Sequence, residues 1–282
     1  MATTDGYAHP AALVETAWVA DHRRDAGLRL VEVDGDAATY DTGHIPGAVG
    51  WHWRRDLQRR PSRDIPTREE WEALLCRAGI ANETRVVLYG DDRNAFAAFA
   101  YWLFKLHGHA DVALMNGGRV KWLAEGREVT TEATTVAPAA YRVASINLGF
   151  RAFRDDIAAS LGGGTTLVDV RSPKEYSGEL LAPENLPQEG AQRGGHIPGA
   201  RNVPWASAVA EDGTFKSAAV LRTLCGGKGI VADRPTIAYC RIGERSAHTW
   251  FVLAELLGHP NVRNYDGGWT EWGSLIGAPI ER

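Results

Sequence analysis

The chain has 282 residues, which is long enough for one large domain or two ordinary ones. Hydrophobic residues make up 44% of the chain and charged residues 23%, a mixture that excludes a disordered chain, a collagen-like chain and a coiled coil. The formal net charge is -4, so no basic excess indicates a nucleic-acid partner. The apolar stretches are too short to span a membrane, and the first residues lack a basic-then-apolar export signal. We therefore expect a cytoplasmic protein without a membrane partner.

Short apolar runs alternate with longer helical patterns along the chain. In the first half these patterns predict strand, helix, strand and helix in turn, at Val86–Tyr89, Ala95–Leu106, Val112–Met115 and Arg119–Glu125. In the second half they predict strand, helix and strand, at Thr236–Tyr239, Ser246–Leu257 and Val262–Tyr265. Strands that alternate with helices predict an α/β fold, with a mainly parallel sheet covered by helices on both faces.

The sequence also repeats itself once. The run Gly-His-Ile-Pro-Gly-Ala at residues 43–48 recurs at residues 195–200, and further matches follow in the same order on both sides of it. Ordered matches of this kind indicate a tandem duplication. They predict an N-terminal domain, a linker and a C-terminal domain, at residues 8–130, 131–148 and 149–282.

The second copy has additional residues between Arg171 and Gly195. This stretch is rich in Pro, Glu, Gln and Gly, which are common in irregular connections. It is therefore predicted to be a surface loop.

The two copies differ at the residue that follows their shared strand. The second copy has Cys240 there, whereas the first has Gly90 in an ungapped comparison, or Asp91 after a slip of one residue. In either case the first copy lacks a thiol at this place. Because ligands of open α/β sheets collect at the carboxyl ends of strands, Cys240 is the predicted nucleophile.

The residues after Cys240 predict an anion-binding turn. A helix that starts near Arg245 would direct backbone N–H groups and its positive end toward the sulfur. Arg241 and Arg245 add two positive charges, and Glu244 removes one. These surroundings predict a thiol pKa below the free value of about 8.5, and hence a reactive thiolate.

Both copies of the Gly-His-Ile-Pro-Gly-Ala turn, together with the runs Cys240–Ser246 and Tyr265–Trp269, resemble the two-domain rhodaneses, which are thiosulfate sulfurtransferases. The resemblance covers the chain from about Leu30 to Ile280 and implies two tandem rhodanese-like domains, of which the second is catalytic. It implies that Cys240 takes the outer sulfur of thiosulfate as a persulfide, releases sulfite and passes the sulfur to a thiophilic acceptor such as cyanide. It implies no metal and no organic cofactor.

The resemblance places the donor in the loop after Cys240. Backbone N–H groups and two arginines suit a dianionic donor, and a glycine lets the loop curl. The expected substrate-binding residues are Arg241, Ile242, Gly243, Glu244, Arg245 and Ser246. Arg171, at the end of a predicted strand, either faces this site or forms a structural ion pair with Asp169 or Glu175.

Two positions depart from the family pattern. Relatives place a basic residue near the position of Glu175 and often another at that of Ile242. Both differences remove positive charge, so we expect thiosulfate to be anchored differently, with Arg245 compensating.

Three other functions stay open. Sister enzymes take sulfur from 3-mercaptopyruvate, which has a single carboxylate and is disfavoured by Arg241. A cysteine phosphatase of the same fold places its arginine six positions after the nucleophile, whereas Arg245 follows Cys240 after five, and the smaller loop fits sulfur better than phosphate. A sulfur carrier without turnover is the third alternative.

The remaining cysteines and the histidines are predicted to be structural. Cys76 and Cys225 lie in helical patterns, and no two cysteines have metal-ligand spacing. His44 and His196 belong to the repeated turn, and His248 is predicted to be a core or capping residue. The duplicated chain is expected to be a monomer or a weak homo-oligomer.

Overall fold

The computed structural model describes residues 6–182 and 190–282, which divide into two compact units. The first unit consists of Ala11–Asn147 together with Val209–Phe215, and the second unit contains the rest of the described chain. Residues 131–147, most of the predicted linker, form no helix or strand and belong to the first unit. The Val143 N–H, for example, donates to Glu72 Oε1 at 2.8 Å.

The first unit is built on a five-stranded parallel sheet with strand order β1-β5-β4-β2-β3. Its strands are β1 (Leu13–Val14), β2 (Leu28–Asp34), β3 (Val49–His52), β4 (Arg85–Tyr89) and β5 (Val112–Met115). Its helices are α1 (Thr16–His22), α2 (Ala37–Asp41), α3 (Trp53–Asp56), α4 (Arg68–Arg77), α5 (Ala95–Leu106) and α6 (Gly118–Ala124).

The second unit contains a four-stranded parallel sheet with strand order β7-β6-β8-β9. Its strands are β6 (Thr166–Asp169), β7 (Arg201–Asn202), β8 (Thr236–Tyr239) and β9 (Val262–Tyr265). Its helices are α7 (Arg154–Ser160), α8 (Pro173–Ser177), α9 (Ala218–Gly226), α10 (Glu244–Phe251) and α11 (Gly268–Trp272). Short 3-10 helices occur along the whole described chain, at Pro10–Ala12, Asp92–Asn94, Leu148–Phe150 and Trp205–Ala208.

The cores explain why these segments take these forms. Every residue of β8 is buried, as expected for a central strand that is covered on both faces. In α5 all residues except Phe96 and Lys105 are buried, so almost no face of this helix contacts water. The predicted α/β architecture with mainly parallel sheets is confirmed in both units.

Three strand ends of the second sheet lie side by side. Asp169 pairs in register with Tyr239, which pairs in turn with Tyr265. Cys240 follows the middle strand, and Arg171 comes soon after the neighbouring strand. The parallel sheet therefore brings distant parts of the chain together at its carboxyl edge, where ligands bind in folds of this kind.

Two details differ from the predictions. The stretch between Arg171 and Gly195 is not loop throughout, because α8 forms within it. Ser172 and Glu175 make a reciprocal capping box around Pro173 at the first helical position, and this signal was present in the sequence. Residues 183–189 of that predicted loop lie outside the described residues. The helix predicted over Ser246–Leu257 begins earlier, as α10, and continues as a π-helical segment.

Candidate active site

Cys240 lies directly after β8, and helix α10 begins four residues later at Glu244. Its side chain is fully buried. The Gly243 N–H donates a hydrogen bond to Sγ over 3.1 Å. A sulfur atom that faces a backbone donor at the start of a helix lies where negative charge is stabilised. The fold thus places Sγ within hydrogen-bond distance of a backbone donor at the start of a helix.

Gly243 determines the shape of the turn. Its φ is +106°, a conformation that residues with a side chain rarely adopt, and a Cβ there would lie 2.8 Å from the Cβ of Asp266. Asn264 Nδ2 donates to the Gly243 carbonyl at 3.1 Å and holds the turn against β9. The N–H of Gly243 is therefore directed at the sulfur by a fixed backbone.

Asn264 is a site residue that the sequence analysis misses. Its Oδ1 accepts a hydrogen bond from Ser246 Oγ at 2.7 Å, so one side chain connects the turn with helix α10. An asparagine inside the buried run Val262–Tyr265 was the available signal, because a buried amide needs hydrogen-bond partners. No spacing rule connects it with Gly243, from which it is separated by 21 positions.

The charge of Arg245 is already matched within the protein. Its Nη1 and Nη2 atoms donate to the two oxygens of Glu175 at 2.9 Å and 3.0 Å, and both side chains are largely buried. Glu175 itself thus holds this guanidinium, and the expected compensation by Arg245 in anchoring a donor stays a prediction. Burial alone would raise the pKa of Glu175, but hydrogen bonds and charge from Arg245 outweigh it and lower that pKa to about 2.

Glu244 lies beside the sulfur. Its Oε2 accepts a hydrogen bond from the Cys240 thiol at 3.5 Å, and its Oε1 lies 3.7 Å from Arg245 Nε. Only 5% of the residue is exposed. The four groups form a chain of contacts from the Cys240 thiol to Glu244, from Glu244 to Arg245 and from Arg245 to Glu175.

The predicted direction of the thiol pKa is wrong. Burial raises the pKa of Cys240, and the negative charge of Glu244 raises it further. The charge of Arg245, the Ser246 hydroxyl and the Ile242 N–H act in the opposite direction but do not outweigh them. Burial and the charge of Glu244 therefore favour the neutral form of the thiol.

Arg171 and Arg241 are both buried at this edge of the sheet. Arg171 Nε donates to Asp169 Oδ1 at 3.0 Å, and its guanidinium lies over the Trp269 ring at 4.6 Å. Of the alternatives that the sequence left open for Arg171, the structure has the ion pair with Asp169. The backbone carbonyl of Arg241 accepts a hydrogen bond from the Thr270 N–H at 3.1 Å, which ties the turn to α11.

The other cysteines lie in helices, as predicted. Cys76 is in α4 and half-buried, and Cys225 is in α9, where burial raises its pKa to about 11. The repeated histidines occupy equivalent turns, since His44 stacks on Tyr40 and His196 on Tyr176, both with ring centroids 3.6 Å apart. Their prediction as structural turn residues is confirmed.

His248 lies in the core. The side chain is fully buried, and its ring meets the Trp205 ring edge-on with centroids 5.1 Å apart. Burial lowers its pKa to about 3, so the ring is neutral. This agrees with the predicted core role.

Within residues 6–182 and 190–282, no group of three or more His, Cys, Asp or Glu side chains is arranged to hold a metal ion. In the same part of the chain, no helix has both the length and the apolar character to cross a membrane.

Comparison with known proteins identifies the fold. The family model of the rhodanese-like domain matches the chain twice, at residues 15–125 and 153–275. The chain belongs to the rhodanese family. The predicted pair of tandem rhodanese-like domains is thereby confirmed, with the rhodanese turn after β8 carrying Cys240.

Relatives of this rhodanese align over nearly their full length. The "Sulfur carrier protein TtuD" of Thermus thermophilus is 54% identical over 98% of this chain and 99% of its own. A protein of Saccharopolyspora erythraea named "Putative thiosulfate sulfurtransferase" is 55% identical over 95% of both chains. A protein of Mycolicibacterium smegmatis with the same name is 53% identical over 95% of this chain and 97% of its own. These names support sulfur transfer as the class of chemistry.

Solved structures show the same arrangement of the rhodanese fold. The anaerobic ergothioneine biosynthesis enzyme from Chlorobium limicola, in complex with trimethyl histidine, superposes with a TM-score of 0.85 at 25% identity. The aligned part covers 98% of this chain and 71% of that enzyme. A complex of the EanB Y353A variant with ergothioneine has a TM-score of 0.83 at 26% identity, over 97% of this chain and 70% of the other.

Proposed function

We propose that this rhodanese transfers the outer, sulfane sulfur of thiosulfate to a thiophilic acceptor through a persulfide on Cys240. The main support is the position of Cys240 Sγ, 3.1 Å from the Gly243 N–H in the turn that begins α10. The equivalent turn of the first copy has Gly90 in place of the thiol. One copy therefore supplies the nucleophile, and the other has none at this place.

The chemistry has two displacement steps. In the first, the Cys240 sulfur forms a bond with the sulfane sulfur of thiosulfate while the bond to the sulfite sulfur breaks, so that sulfite leaves with the electron pair. In the second, a nucleophile such as cyanide takes the outer sulfur of the persulfide and leaves as thiocyanate, which restores the cysteine. The Gly243 N–H is placed to stabilise negative charge on either form of the sulfur.

Anion recognition falls mainly to the turn and to Arg241. Since both terminal nitrogens of Arg245 bond to Glu175, this guanidinium is less available to a donor than its position in the sequence suggests. Arg241 lies in the turn beside Cys240, and its guanidinium group is positively charged. A small anion that enters the turn would meet this charge together with the backbone N–H groups.

Mass spectrometry of the donor-treated protein tests the proposal. After incubation with thiosulfate, the peptide that contains Cys240 should gain one sulfur atom, about 32 Da, and cyanide should remove it. The peptides of Cys76 and Cys225 provide internal controls and should gain nothing. A Cys240 peptide of unchanged mass would exclude the proposed persulfide.

A sulfur carrier is the second candidate, because a relative with 54% identity bears that name. A carrier and an enzyme differ in turnover rather than in the first step. Steady-state assays with thiosulfate or 3-mercaptopyruvate as donor and cyanide as acceptor, with Cys240→Ser as control, separate them. Many turnovers per thiol support an enzyme, whereas one sulfur per protein without turnover supports a carrier. A faster reaction with 3-mercaptopyruvate than with thiosulfate would identify 3-mercaptopyruvate as the preferred donor.

A further inference from the structure

Attack by Cys240 on a sulfur donor requires that its thiol lose a proton. A thiolate attacks sulfur far faster than a thiol, and this thiol is buried, so its proton has to move to a nearby group when the donor binds. The Glu244 carboxylate accepts the hydrogen bond of the thiol, with Oε2 at 3.5 Å from Sγ. It is thus in contact with the reacting atom.

We propose that Glu244 is the catalytic base that removes the proton of Cys240 during attack on the donor, an inference that rests on the proposed sulfur transfer. The Cys240 S–H bond breaks and its proton passes to Glu244 Oε2, while the sulfur bonds to the sulfane sulfur of thiosulfate. The sulfur–sulfur bond of thiosulfate breaks, and sulfite leaves with that electron pair. The proton then passes from Glu244 to sulfite, so the products are a persulfide anion and hydrogen sulfite.

The surroundings of Glu244 suit this role. Its carboxylate belongs to the first turn of α10 and is held between the sulfur and Arg245, whose Nε lies 3.7 Å from Oε1. Arg245 is in turn fixed by Glu175 on α8. Because both partners of Glu244 are held in place, the short path from Sγ to Oε2 is preorganised for proton transfer.

The other charged groups near the turn are engaged differently. Asp266, which follows β9 and lies against Gly243, forms an ion pair with Arg151 at 2.9 Å. Arg241 lies in the turn itself and has no basic lone pair to offer. Among the described groups that contact Sγ, Glu244 therefore combines proximity with the ability to accept a proton.

A purely electrostatic role for Glu244 predicts that its removal makes Cys240 more reactive, whereas a catalytic base predicts slower sulfur transfer. A fixed negative charge beside a thiol disfavours the thiolate, and replacing it by a neutral amide would then make the sulfur more reactive in every reaction. A base, in contrast, accelerates the transfer although it disfavours the free thiolate. The substitution Glu244→Gln separates these roles, because glutamine has the same shape but cannot take up the proton.

The experiment compares two reactions of Cys240 from pH 6 to pH 9. Alkylation with iodoacetamide reports the free thiolate, and single-turnover sulfite release from thiosulfate reports the proposed step. We expect Glu244→Gln to be alkylated several-fold faster than the native protein at pH 7. We expect its sulfite release to be slower by about 100-fold at pH 7, with a smaller deficit at higher pH. Parallel increases in both rates would overturn the proposal.

Control variants distinguish a failure of the proposed sulfur transfer from a failure of the proposed role of Glu244. Glu179→Gln makes the same substitution at an exposed residue of the same unit and should match the native rates. Glu244→Asp keeps a carboxylate but shortens the side chain by one methylene, which moves the carboxylate away from the sulfur. Its rate of sulfite release should therefore lie between those of the native protein and Glu244→Gln. A rate equal to that of Gln would contradict a base, and this variant also serves if Glu244→Gln does not fold. If the native protein releases no sulfite, the proposed function fails; if native and Gln release it equally, only the role of Glu244 fails.

Discussion

Gly90 follows β4 and Cys240 follows β8, and the backbone carbonyls of these two residues accept equivalent hydrogen bonds. The carbonyl of Gly90 accepts a hydrogen bond from the Arg119 N–H at 2.9 Å, and the carbonyl of Cys240 accepts one from the Trp269 N–H at the same distance. The space for a side chain differs, because a Cβ on Gly90 would lie 2.2 Å from the carbonyl oxygen of Val33. The first copy therefore keeps this hydrogen bond but has no room for a thiol, and its turn has a different backbone, with positive φ at Asp92, Arg93 and Asn94.

An arginine supports the Gly-His-Ile-Pro-Gly-Ala turn in both copies but comes from different positions. In the first copy Arg119, on α6, donates to Glu32 and to the carbonyl of the first glycine of the turn. In the second copy Arg171, which follows β6, donates to Asp169 and to the carbonyl of the corresponding glycine. The two copies thus satisfy the same packing requirement with different residues, so the arginine alone does not identify a substrate site.

The copies also differ in the sign of their charges. Asp34 in the first copy occupies the repeat position of Arg171 in the second. Burial and the nearby charge of Glu32 raise the pKa of Asp34 to about 9, so this carboxyl group is neutral at pH 7. In the second copy the buried carboxylate of Glu175 is instead ionised and paired. The repeat position thus holds a neutral acid in the first copy and, in the second, an arginine that is paired with Asp169.

Moving the thiol between the copies should have the largest effect. Cys240→Ser should lower thiocyanate formation from thiosulfate and cyanide by at least about 1000-fold, because the nucleophile is lost. Adding Gly90→Cys to this variant should restore nothing, since the first turn has no space for the side chain. Cys225→Ser is the matched control and should retain activity. Recovery of transfer by Gly90→Cys would show that the two turns are functionally equivalent.

Breaking the buried ion pair of the second copy should have the next largest effect. Glu175→Gln leaves Arg245 buried without its carboxylate and should lower the free energy of unfolding by about 3 kcal/mol at pH 7. The pKa of Glu175 lies below its usual value of 4.5, at about 2. The contribution of this group is therefore complete above about pH 4.5 and is lost as the pH falls toward 2. Urea denaturation at pH 7 and pH 3 should show a smaller native-to-variant difference at pH 3; equal differences would contradict the pairing.

Removing the charge beside the thiol should have a smaller effect that depends on the donor. Arg241→Ala should lower kcat/KM for thiosulfate by about tenfold, equivalent to about 1.4 kcal/mol, and should affect 3-mercaptopyruvate less. The reason is that thiosulfate carries two negative charges and 3-mercaptopyruvate carries one. Steady-state kinetics with both donors measures this difference, with Arg154→Ala on α7 as a control at an exposed arginine. Equal losses for the two donors would remove the case for Arg241 as a donor-selective residue.

The smallest effect on sulfur transfer is expected for the acidic residue of the first copy. The pKa of Asp34 lies far above its ordinary value of 3.8, so its stabilising contribution is complete below that pH and is lost as the pH rises toward 9. Asp34→Asn should therefore stabilise the first unit by a few kcal/mol at pH 8, with little gain at pH 4, because the amide removes the cost of keeping a proton on this buried group. Hydrogen exchange of the β2 amides would measure this change. A stabilisation that is the same at both pH values would contradict a neutral buried acid at this position.

Much of the fold and part of the site could be predicted from local patterns. The strand and helix over Val112–Met115 and Ala95–Leu106 lie where the apolar patterns place them, because burial on both faces leaves continuous apolar runs. Helix α8 carries a capping signal in Ser172 and Glu175, whereas the composition of the surrounding stretch predicts a loop. Asn264 could not be assigned to the turn from the sequence, because its partners are distant along the chain.

The duplication, the alternation of strands with helices in each copy, and the single copy with Cys240 after a buried strand all follow from the sequence alone. Local periodicity and an internal repeat are sufficient for these features, because each depends on neighbouring residues or on direct comparison of the two halves. Only the tertiary structure decided how the charges at that strand end are used. Folding brings Glu175, 70 positions away, onto Arg245 and buries Cys240 with Glu244 beside the sulfur. This burial, together with the charge of Glu244, raises the pKa of the thiol although Arg245 acts to lower it.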